Sequence, residues 1–172
     1  MKILIIALPR TGSTSVLNKY SLEYNLKKIE EPFNIRNLEK LNENDLNQDN
    51  IVLKTIIDQI PSNETNHINY WFNKCNEFDK VILLSRKDLK ACAESLAFLD
   101  YNEKNGFKHN EKYEWYLTPN FNKWYEYLIS ANEDLLILGK LLNIETTYYE
   151  DIFDLNSKDR LRIGNLKRYK II

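Results

Sequence analysis

The sequence predicts an α/β fold of three layers, a central parallel sheet of about four to five strands flanked by helices. Three observations lead there. Short, nearly continuous apolar runs alternate with stretches of helical periodicity, the pattern of strands covered on both faces. The first apolar run passes through a loop of small residues directly into a helical pattern, the β-loop-α unit from which such sheets are built. The chain has 172 residues, the size of one domain that buries most of its unfolded surface without a disulfide or a metal. Residues 1–172 are therefore read as a single domain.

Each element has its own signal. Ile3 to Leu8 is uniformly apolar and too short for a helix, so a strand is expected over 2–8, ended by Pro9. Val16, Leu17 and Tyr20 carry a helix over 13–24. Residues 32–50 are polar and rich in Asn, a loop with a marginal helix around Leu38 to Leu41. Further strands are expected at 50–54, 80–85 and 144–149, and helices at 66–77, 88–98 and 121–142. In the last helix Trp124, Tyr125, Leu128, Leu135, Ile137 and Leu141 have helical spacing and read as packing. Between 100 and 119, Tyr101, Phe107, Tyr113, Trp115 and Tyr116 stand among charges. That segment is either a lid on the acceptor side or a helical satellite of the core, with the core reading preferred.

Composition excludes several classes. The net charge is −1 and the pI about 6.2, so no uniform basic field exists to hold nucleic acid. No run is long enough to cross a bilayer, and the opening apolar run of six residues is not a signal peptide. Cys75 and Cys92 lack metal-ligand spacing and read as buried free thiols of a reducing compartment. A soluble, cytoplasmic protein is expected, monomeric or homodimeric. The strongest basic run, Arg160 to Lys170, is either a solvated tail or a loop over an anionic ligand.

The first loop carries the chemistry. Arg10-Thr11-Gly12-Ser13-Thr14-Ser15 lies between strand and helix. Free N–H groups and the positive end of the helix dipole converge there on one anion. Gly12 permits close backbone approach, and Arg10 adds a planar donor fork. This is not the nucleoside-triphosphate loop G-x-x-x-x-G-K-[ST]. Ala7 stands five residues before Gly12, Ser13 follows it instead of Lys, and the strand Val81–Leu84 ends in Ser85-Arg86 where a magnesium-binding Asp belongs. Arg10, Lys54 and Arg86 fall at or beside the carboxyl ends of three strands, where ligands of parallel sheets bind. Three cations on one edge call for a polyanion.

Pro9-Arg10-Thr11-Gly12-Ser13-Thr14 resembles the 5′-phosphosulfate loop of the sulfotransferase superfamily. Three further segments resemble that family in the same order: Ile51-Val-Leu-Lys54-Thr55, Val81 to Leu96 with Arg86 and Ser95, and Thr147-Tyr-Tyr149-Glu150-Asp151. The resemblance implies a P-loop-like fold and a donor, 3′-phosphoadenosine 5′-phosphosulfate (PAPS), with the 3′,5′-bisphosphate (PAP) as product and no metal. It implies 5′-phosphate contacts from Thr11 to Ser15, Arg10 on the bridging oxygen, and Lys54 on the sulfonate. Arg86 and Ser95 match the 3′-phosphate pair, and Lys167 and Arg168 are weaker candidates for the same phosphate. Charge-assisted bonds contribute roughly 1.5–3 kcal/mol each, so two would favour the 3′-phosphorylated nucleotide about a hundredfold or more.

The chain departs from the cytosolic members of the family it resembles at the general base. Their Lys-Thr pair is followed by His, whereas Lys54-Thr55 is followed by Ile56. His67 and His109 match no such position, and His67 reads as a surface residue at a helix start. Glu30-Glu31-Pro32 resembles the Glu-bearing segment of trehalose-type and heparan-type sulfotransferases. Glu31 is the candidate base and Glu30 the fallback, with an acidic loop turn as the plain alternative. Pro32 biases Glu31 toward extended backbone, and burial would raise its pKa. The acceptor is a hydroxyl or amine of a small molecule or carbohydrate. The chain is short for this family, which keeps open a nucleotide-binding module without turnover. A small-molecule kinase is disfavoured by the absent Lys and Asp.

Overall fold

The computed structural model describes residues 1–34, 48–105 and 120–153. The elements are β1 (Lys2–Ala7), α1 (Ser13–Tyr24), β2 (Lys27–Glu30), β3 (Ile51–Ile56), α2 (His67–Lys74), β4 (Lys80–Ser85), α3 (Leu89–Asn105), α4 (Phe121–Leu142), β5 (Thr147–Tyr148) and α5 (Tyr149–Ile152). Five strands form one sheet in the order β2-β3-β1-β4-β5, every pair parallel. The α/β architecture with a parallel sheet between helices is the one the apolar runs predict.

Both faces of the sheet are covered because neighbouring strand residues point to opposite sides. Val16 and Leu17 of α1 pack with Ile3, Ile5, Ala7, Val52, Ile82 and Leu84 on one face. Trp71 of α2, Cys92 and Ala93 of α3, and Leu128, Leu135 and Leu138 of α4 pack with Leu4, Ile6, Leu53 and Leu83 on the other. The Trp71 indole N–H donates to the Ile57 carbonyl at 2.8 Å, satisfying its one polar atom inside the core.

The helices α1 and α4 have the expected bounds. Each ends at an Asn in the left-handed region, Asn25 and Asn143, which stops the helix while its N–H bonds back to the last turn. Helix α2 starts one residue later than expected because the Asn66 side chain caps it, and Cys75–Glu77 continue as a 3₁₀ turn. The helix expected over 88–98 runs on to Asn105 and takes in Tyr101, with Asp88 accepting from the Ala91 N–H at its start. The strand expected over 144–149 shrinks to two residues, and Tyr149 begins a helix.

Strand β2 is the element the periodicity does not predict. Lys27-Lys28-Ile29-Glu30 is polar and mostly exposed because it is an edge strand hydrogen-bonded only to β3. Ile137 and Leu141, expected in the packing, are 44% and 53% exposed, since the stripe that α4 turns to the sheet runs through Leu128, Leu135 and Leu138. Cys75 and Cys92 are buried and free. His67 stands at the start of α2 with its side chain 31% exposed and its Nε2 3.0 Å from Asp134 Oδ2 of α4. The marginal helix at 38–41, the aromatics Phe107, Tyr113, Trp115 and Tyr116, and the basic run 160–170 lie outside the described residues. Among the described residues no helix is long and apolar enough to cross a membrane.

Candidate functional site

The candidate site lies at the carboxyl ends of β1 and β4. The chain leaves β1 toward α1 on one face and leaves β4 toward α3 on the other. The two connections therefore diverge, as at the topological switch points where parallel sheets bind ligands. Arg10 lies in the loop after β1 and Arg86 directly after β4. Lys54, expected at the end of a strand over 50–54, lies within β3, the neighbour of β1 on the other side, because the ladder to β1 runs on through Thr55 and Ile56.

The loop after β1 has a constrained backbone. Arg10 has φ 63° and Gly12 φ 81°, both left-handed. Such a conformation in a non-glycine residue persists only where the surroundings enforce it. The Arg10 carbonyl accepts from Cys92 Sγ and from Arg86 Nη1, each at 3.5 Å. Thr11 is fully buried and its hydroxyl donates to the Leu8 carbonyl at 2.7 Å, so its side chain ties the loop together. The N–H groups of Gly12, Ser13 and Thr14 meet no acceptor among the described residues. That of Ser15 already donates to the Gly12 carbonyl at 2.9 Å, which shortens the predicted cradle by one donor. A Cβ on Gly12 would lie 2.4 Å from Cε2 of the Tyr149 ring, so glycine is required by packing as well as by φ.

Two side-chain clusters flank this loop. On the β4 side, Arg10 Nε donates to Ser95 Oγ of α3 at 2.9 Å, joining two predicted ligand residues directly. Arg86 lies with its guanidinium carbon 5.9 Å from the Tyr149 ring centre and its Nε 3.6 Å from Glu150 Oε1. On the β3 side, Lys54 is 2% exposed and its Nζ reaches Glu30 Oε1 at 3.0 Å and, in a shorter contact, Glu31 Oε1. The Thr14 hydroxyl donates to Glu30 Oε1 at 2.6 Å, while Glu31 Oε2 accepts from Asn34 at 2.7 Å and from Gln59 at 3.2 Å.

Two expectations about Glu31 are corrected. Its backbone is left-handed, φ 46°, not extended. Its N–H continues the ladder to the Lys54 carbonyl at 2.7 Å, and its own carbonyl accepts from Asn34 N–H across a Pro32-Phe33 turn. These two bonds outweigh the bias that a following proline exerts. Its carboxyl is also held below the ordinary value, not above it. Burial pulls it upward, but the hydrogen bonds from Lys54, Asn34 and Gln59 and the Lys54 charge favour the ionised form more strongly. Glu30 is lowered likewise, with burial opposed by Thr14 and Lys54.

Sequence reasoning missed three participants. Gln59 braces Glu31, and its only signal is position after the third strand. Glu150, in the family-like Tyr-Glu-Asp segment, contacts Arg86 and Lys87. Asn132 of α4 accepts from Ser85 at 2.8 Å. Ser85 and Asn132, with Arg86, Lys87, Leu89 and Tyr148, line an open cleft of about 420 Å³ beyond the ends of β4 and β5. Lys167 and Arg168 lie outside the described residues. No family model matches this chain, and no curated protein is significantly similar to it.

Proposed function

We propose that this chain is a sulfotransferase that moves a sulfuryl group from PAPS to a hydroxyl or amine of a small-molecule or carbohydrate acceptor. The observation that carries the reading is Arg10 and Arg86 beside the carboxyl ends of β1 and β4 with Lys54 in the neighbouring β3, around a loop in which the N–H groups of Gly12, Ser13 and Thr14 meet no acceptor among the described residues. These residues fit a phosphosulfate with a second phosphate. Gly12, Ser13 and Thr14 supply N–H donors, Arg10 and Lys54 supply charge near the reacting end, and Arg86 with Ser95 supplies a clamp for the 3′-phosphate.

The donor supplies an activated sulfuryl group, which carries less negative charge than a phosphoryl group. Fixed cations suffice to neutralise its transfer. Arg10, pinned by Ser95, stabilises charge where the bridging oxygen becomes a leaving group. Glu31, ionised and braced by Asn34 and Gln59, takes the acceptor proton. Lys54 keeps Glu31 in its carboxylate form until the acceptor arrives. The buried free thiols suit a reducing, cytoplasmic setting.

One observation favours a nucleotide-binding module without turnover. Lys54 and the Thr14 hydroxyl are both already engaged by Glu30. Calorimetric titration with PAP, beside ATP with magnesium, tests the proposal. Metal-independent binding of PAP, lost in Arg86→Ala, supports it. Binding without turnover over a broad acceptor panel leaves the module, and binding of magnesium-ATP alone replaces both readings with a kinase.

A further inference from the structure

Glu150 is the most deeply buried carboxylate beside the site, with a side chain 1% exposed. A carboxylate taken out of water needs a partner of opposite charge and full hydrogen bonding. Its Oε2 accepts from the Lys87 N–H at 3.1 Å. Among the described residues its Oε1 has no hydrogen bond, and neither has Arg86 Nε, although both atoms are buried and only 3.6 Å apart. Facing donor and acceptor atoms, each orphaned, lie one small movement from a charge-assisted bond of about 2.7–2.9 Å.

The surroundings make Glu150 part of a grip. Ser85 pairs with Tyr148 in the β4–β5 ladder, so the residues after each strand run side by side. Tyr148 lies under Lys87 and Tyr149 under Arg86, and Asp151 pairs with the Lys87 ammonium. Four successive residues thus hold two successive cations. With Nε turned to Glu150 and the guanidinium over Tyr149, the terminal nitrogens of Arg86 reach toward the Arg10 loop, where Nη1 meets the Arg10 carbonyl. The side chain has little freedom to turn elsewhere.

We propose that Glu150 is a positioning residue that sets the direction of Arg86, so that the guanidinium fork faces the loop after β1 and reads a phosphate on the ligand's sugar. The discrimination rests on the sulfotransferase reading, whereas the fixing of Arg86 does not.

Two measurements separate these. In the intact chain, NMR reads solvent exchange of the Arg86 Nε–H, which is expected to be protected and to lose protection in Glu150→Gln. Rapid exchange in the unaltered chain overturns the proposal without any variant, as does protection that survives in Glu150→Gln. Titration with PAP and with adenosine 5′-monophosphate then reads discrimination. Glu150→Gln is expected to weaken PAP about tenfold or more and leave the monophosphate within about twofold. Equal weakening of both nucleotides, or no change in either, overturns the positioning role. If the unaltered chain binds neither nucleotide, the sulfotransferase reading fails, and the exchange measurement alone decides whether Glu150 fixes Arg86.

Discussion

Gly12→Ala separates the two reasons for glycine in the first loop. A side chain at φ 81° pays the left-handed penalty of about 1–2 kcal/mol. The new Cβ also meets three ring atoms of Tyr149, at 2.4, 2.8 and 3.0 Å. That ring cannot simply swing aside, because Phe153 packs on it at 4.8 Å and the Arg86 guanidinium lies over it. Overpacking of this kind costs about 1–3 kcal/mol. The expected total is roughly 2–5 kcal/mol, a fall in Tm of roughly 4–20 °C for a chain of this size. Urea titration followed by tryptophan fluorescence measures the free energy. Tyr149→Ala removes the clash but not the φ penalty, so in that background Gly12→Ala is expected to cost only about 1–2 kcal/mol. A single variant within about 0.5 kcal/mol of the parent, or the same cost in both backgrounds, would show that Tyr149 does not pack on this loop as described.

The carboxyls of Glu30 and Glu31 sit below their ordinary value of 4.5 in the folded chain, so the unfolded chain binds protons first as pH falls. Their contribution to stability is present above 4.5 and is lost on titrating down through the lower folded values. Lys54→Met should flatten that loss in urea titrations from pH 6 to about pH 3; an unchanged slope would dissociate Lys54 from both carboxyls. Burial pushes Cys75 to about 12 and Cys92 to about 11. A thiol-disulfide reagent at about pH 8 should therefore label neither until urea unfolds the chain, and rapid native labelling would contradict their burial. With the acceptor identified, Glu31→Gln should lose roughly 10²–10⁴ in rate with PAP affinity little changed. Full activity there, with loss in Glu30→Gln, would move the base to Glu30.

Where a side chain's role follows from neighbours in the chain, the sequence is enough to find it. The apolar run Ile3–Leu8, the break at Pro9 and the helical spacing of Val16, Leu17 and Tyr20 define the β1-loop-α1 unit, because local geometry couples those residues. The same holds for α4 and for the parallel character of the sheet, since strands covered on both faces must be apolar throughout. Strand β2 escapes detection because an edge strand exists through its ladder to β3, and its polar sequence shows no period to read. Tertiary contact also decided what the charged residues do. Lys54 and Glu31 are 23 positions apart, Arg86 and Glu150 are 64 apart, and only the parallel pairings of β2 with β3 and of β4 with β5 bring each couple together. Local pattern therefore identifies which cations lie on the strands and just after them. Whether such a cation faces a carboxylate or an open loop depends on strand order, and the energy that sets strand order is burial summed over the whole sheet.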